Sequence, residues 1–68
     1  MPKRILIVDD EPDIREVVSI LLGSEGYGIV QAENGARALE LVKEDRGIDL
    51  VIMDIMRPGM DWVMFTMM

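Results

Sequence analysis

Three short apolar runs alternate with two stretches of helical periodicity, and this alternation constrains the fold more than any other feature. Ile5-Leu6-Ile7-Val8 is a continuous, mostly β-branched run bounded by charge, as suits a strand buried on both faces. Pro12 fits the first turn of a helix, where its missing N–H leaves no bond unmade. Ile14, Val17, Val18, Leu21 and Leu22 then fall at i, i+3, i+4, i+7 and i+8, one apolar stripe with Arg15, Glu16 and Ser19 on the wet side. The stretch from Gly23 to Gly28 predicts a stop and a turn. Ile29-Val30 with Ala32 predicts a second strand. Asn34 can cap a second helix, with Ala38, Leu39, Leu41 and Val42 facing inward and Gly47 ending it. Leu50-Val51-Ile52-Met53 forms a third strand running into Asp54. The order β-α-β-α-β predicts an α/β fold with parallel strands and right-handed crossovers.

The chain has 68 residues, room for one small domain. A single core of this size supplies about 3–5 kcal/mol at most. There are no cysteines or histidines, which excludes disulfides and the usual zinc sites and leaves association as the route to extra stability. Half the residues are hydrophobic, too many for a disordered tail. A net charge of −6 argues against a nucleic-acid-binding surface, which needs clustered Lys and Arg. The apolar run after Met1-Pro2-Lys3-Arg4 stops at Asp9, short of the roughly 7–15 residues of a signal core. No stretch reaches the ~18 apolar residues of a membrane span, so a soluble cytoplasmic protein with no membrane contact is expected. Gly23, Gly26 and Gly28 follow a helix rather than a strand, so they predict a turn and not a dinucleotide loop.

Asp9, Asp10 and Glu11 directly follow the first strand, and Asp54 ends the third. In a parallel sheet, ligands bind at the carboxyl ends of strands beside the topological switch point. That topology brings Asp10 and Asp54 together although 44 residues separate them. Converging carboxylates repel unless a cation or proton intervenes, and oxygen-only ligands favour a hard ion such as Mg2+ or Mn2+. Acidic residues after a strand also commonly cap the next helix. Two such positions at the same end of adjacent strands favour the binding site.

Taken together, Ile7-Val8-Asp9-Asp10-Glu11-Pro12, Asn34-Gly35, and the run from Asp49 through Asp54 to Pro58-Gly59-Met60-Asp61 resemble the response-regulator receiver family. The resemblance covers residues 3 to 61 and implies a flavodoxin-like fold with three parallel strands in order 2-1-3 and flanking helices. It implies that Asp54 accepts a phosphoryl group from a phosphohistidine on a histidine kinase or phosphotransfer protein. It also implies that Mg2+ is held by Asp9, Asp10 and Asp54 with the backbone carbonyl of Met56. A phosphoacceptor module of this kind is regulatory, not an enzyme. A small phosphatase working through Asp54 would need a second Asp two residues on, where Met56 stands.

Residues 1–68 are expected to be the amino-terminal half of a receiver, ending before the two further strands and helices of a complete one. Those carry the Ser or Thr and the Lys that sense the phosphoryl group, so neither role is assigned here. The tail Trp62-Val63-Met64-Phe65-Thr66-Met67-Met68 departs from the pattern, being almost wholly apolar. Met60, Val63, Met64 and Met67 share one helical face, which predicts a short buried helix. With no further strand, the outer edge of the third would be bare, and bare edges template pairing. A homo-oligomer through that edge and the tail is therefore expected. The alternative function is a non-phosphorylated interaction or self-assembly unit.

Overall fold

The computed structural model describes residues 3–54 and 62–66, with Asp54 and 62–66 described by their backbone only. The elements run β1 (Arg4–Val8), α1 (Pro12–Ser24), β2 (Gly28–Ala32), α2 (Gly35–Glu44), β3 (Leu50–Asp54) and β4 (Trp62–Thr66). The first three strands are parallel in the expected order, β1 pairing Leu6 with Val30 on one side and with Val51 on the other. The sheet order is β2-β1-β3-β4.

β4 corrects the expectation for the tail. It is a strand, not a helix, and pairs antiparallel with β3, Ile52 opposite Met64 and Asp54 opposite Trp62. The outer edge of β3 is therefore covered, and the edge strand on that side is β4. Helical spacing of the methionines lost to two stronger terms. Trp, Val, Phe and Thr favour strands, and the N–H and C=O groups along β3 need partners.

Ile5, Leu6, Ile7 and Val8 are all buried, as the continuous apolar run required. Leu6, Val8, Ala32, Ala38, Ile48 and Val51 form one core cluster, joined by half-buried Val30, Leu41, Val42 and Met53. Asn34 caps α2 as expected, its side chain accepting from the N–H of Arg37 at 2.8 Å, a bond worth about 1 kcal/mol. Leu39 turns outward. Gly47 lies past the helix and donates its N–H to Asp45 Oδ1 at 2.8 Å. The left-handed residue after α1 is Gly26, with φ 96°.

α1 is rolled from its expected orientation. Ile14, Val18 and Leu22 are half-buried, whereas Val17, Ile20 and Leu21 are exposed. Ser19, assigned to the wet side, is buried and donates its hydroxyl to the carbonyl of Arg15 at 2.7 Å. Arg15 is half-buried and bonded toward the sheet. The apolar period sets a stripe but not its centre, and Arg15's polar bonds turn the helix toward its 15/19 side.

Candidate functional site

β1 ends at Val8, so Asp9 stands where the parallel strands deliver their carboxyl ends. Its N–H continues the ladder, donating to the carbonyl of Ala32 at 3.2 Å. Its side chain is buried, and Oδ1 accepts from the N–H of Glu11 at 2.9 Å. Glu11 is the N-cap residue of α1 and makes no side-chain cap bond of its own. Asp9 thus organises the entry to the helix as well as standing at the site. Asp10 is exposed.

Val8, Asp9, Asp10, Glu33, Asn34, Gly35 and Met53 line a cleft of about 200 Å³ across the ends of β1, β2 and β3. Asp9 and Asp10 are therefore brought together at the expected place. Val8 is opposite Met53 in the parallel register, so Asp9 and Asp54 each follow the last paired position of neighbouring strands. Met56 lies outside the described residues.

Glu33 is a third acidic residue at the cleft that the sequence reading did not single out. A signal was available, because Glu33 follows β2 directly, as Asp9 follows β1. Arg15 was also missed. Its Nη1 donates to the main-chain oxygen of Asp9 at 2.6 Å and its Nε to Gln31 Oε1 at 2.9 Å. No residue-type pattern announces a bond to a backbone carbonyl.

Among the described residues no group of three His, Cys, Asp or Glu side chains stands close enough to hold a metal ion. The oxygen donors of Asp9 and Asp10 still fit Mg2+, which commonly takes one or two carboxylates and keeps several waters. Among the described residues no helix is long and apolar enough to cross a membrane.

Residues 5–68 match the family described as response regulator receiver domain. The chain is 44% identical over 63 residues to sporulation initiation phosphotransferase F of Bacillus subtilis, covering 93% of this chain and 50% of that protein. It is 43% identical over 63 residues to the DNA-binding response regulator MtrA of Mycolicibacterium smegmatis, covering 93% of this chain and 27% of that one. It is 47% identical over 57 residues to the CAI-1 autoinducer sensor kinase/phosphatase CqsS of Vibrio cholerae, covering 84% of this chain and 8% of that one. The chain thus spans half or less of the length of each of these relatives. No solved structure matches it.

Proposed function

The chain belongs to the response-regulator receiver family of two-component signalling, and from that premise we propose that it is a phosphoacceptor module phosphorylated on Asp54. The observation that carries this reading is the cleft lined by Asp9 and Asp10, beside the strand that ends in Asp54. A carboxylate oxygen of Asp54 would bond to phosphorus in line as the P–N bond of a phosphohistidine breaks, leaving imidazole and an acyl phosphate. Asp9 and Asp10, with Asp54 and the Met56 carbonyl, would hold Mg2+. When bound, the ion supplies positive charge against the phosphoryl oxygens. Buried Asp9 stays aligned through the Glu11 N–H, which limits the reorganisation needed to receive a cation.

The donor would be a histidine kinase or phosphotransfer protein, and the setting the cytoplasm. The module would be regulatory rather than an enzyme. Self-association, with the β3 edge covered, would use the outer edge of β4, a strand with no charged residue and no proline.

Native mass spectrometry with Mg2+ and a small-molecule phosphodonor tests the acceptor. One added phosphoryl group on the wild type, absent from Asp54→Asn, is expected. Equal modification of both proteins, or of neither, would overturn the assignment of Asp54.

A further inference from the structure

The acceptor chemistry leaves Arg15 without a role, yet Arg15 bonds directly to the main chain of the acidic pair. Its guanidinium reaches from α1 across the end of the sheet, with Nε on Gln31 of β2 and Nη1 on the carbonyl oxygen of Asp9. That oxygen belongs to the peptide joining Asp9 to Asp10. Fixing the plane of this peptide constrains the direction in which both side chains leave the backbone. The N–H of Asp9 is tied to Ala32 and its Oδ1 to the Glu11 N–H, and the Arg15 bond to the Asp9 carbonyl adds a further hold on the turn. Asp10 is exposed, and Arg15 constrains it through the shared peptide.

We infer that Arg15 is a positioning residue for the cation site, clamping the Asp9–Asp10 peptide so that both carboxylates are held at the cleft. The inference rests on the Mg2+ reading above. Arg suits the task because its planar fork supplies two differently aimed donors at once, which a Lys ammonium on a flexible stem does not.

Charge and position pull in opposite directions here. A guanidinium beside the cleft repels a second cation, so removing its charge would by itself tighten Mg2+ binding. Losing the clamp would loosen it. Titration of wild type, Arg15→Lys and Arg15→Gln with Mg2+ alone separates the two, with amide exchange of Asp10 and Glu11 followed by NMR in the metal-free proteins. Both variants are expected to bind Mg2+ roughly 10-fold or more weakly, as for other residues that orient metal ligands. Faster exchange at Asp10 and Glu11 is expected alongside. Gln31→Leu, which removes the anchor but keeps the Asp9 bond, is expected to give a smaller loss in the same direction.

Tighter binding by Arg15→Gln with Arg15→Lys unchanged would reduce Arg15 to a charge and overturn the inference. So would a lower Tm with unchanged Mg2+ affinity of the folded variants. If the wild type itself takes up no Mg2+, the cation-site reading fails and the positioning role for that site fails with it. The amide exchange then reports separately whether Arg15 still orders the turn.

Discussion

β1 and β3 are apolar runs of the same length in the same sheet, yet one is sealed and the other half open. Ile5, Leu6, Ile7 and Val8 are at most 4% exposed, while Leu50, Ile52 and Met53 are only half-buried. Both helices lie over β1 and β2. β3 joins the core on the α2 side, through Val51 and Met53. On its other side Leu50 and Ile52, with Ile5, Leu22, Tyr27, Lys3 and Asp49, line a groove of about 430 Å³. Hydrophobicity of a run thus fixes its eligibility for burial. The crossover laid above it decides whether burial follows.

Matched truncations test that contrast most severely. Leu6→Ala is expected to cost about 2–5 kcal/mol, enough to unfold a domain of this size, because a fully enclosed side chain leaves a cavity. Leu50→Ala is expected to cost under about 1.5 kcal/mol, since the groove already admits water. Urea unfolding measures both. Equal costs would mean that the groove is closed in solution, and the comparison would break.

The next effect concerns the edge on the open side. In an antiparallel strand, alternate residues aim their N–H groups at the neighbour and at the outside. Of Val63→Pro and Met64→Pro, one therefore removes a β3–β4 bond and the other blocks only the outer edge. The first is expected to lose about 1–3 kcal/mol, the cost of an unpaired backbone group. The second is expected to keep its stability but sediment as a monomer where the wild type associates. Association that survives both prolines would remove the β4 edge from consideration.

The smallest effect lies in the loop between α2 and β3, where Asp45 pairs with Arg4 of β1. The Gly47 N–H, and then the hydrogen bond from Arg4, hold the Asp45 carboxyl below its ordinary value, while burial acts the other way. A lowered folded-state pKa stabilises above the unfolded value of 3.8 and loses that contribution as pH falls through the folded value. Asp45→Asn should therefore lower Tm slightly at pH 7, with the gap closing in acid. A gap of the same size at about pH 2 would place its origin outside the carboxylate charge.

Much of the fold and part of the candidate site were legible in the sequence. The helix–strand alternation marked the parallel strands and their connections, and Asn34 marked the cap it makes. The place of Asp9 and Asp10 at the cleft was legible because a parallel sheet delivers its strand ends to one edge. Glu33 follows the same rule and was readable in principle. Arg15 was not, because its partner on Asp9 is a backbone atom that every residue carries.

Periodicity by itself determined which residues are candidates for burial, since side-chain direction repeats with the local backbone. Only the tertiary structure decided the roll of α1, where Arg15 and Ser19 turned inward and Val17 and Leu21 outward. Only it decided that Trp62–Thr66 is a strand. Both outcomes have one physical cause. Backbone polar groups at the end of β1 and along the edge of β3 must find partners, and which segment answers them depends on proximity in space that no local pattern records.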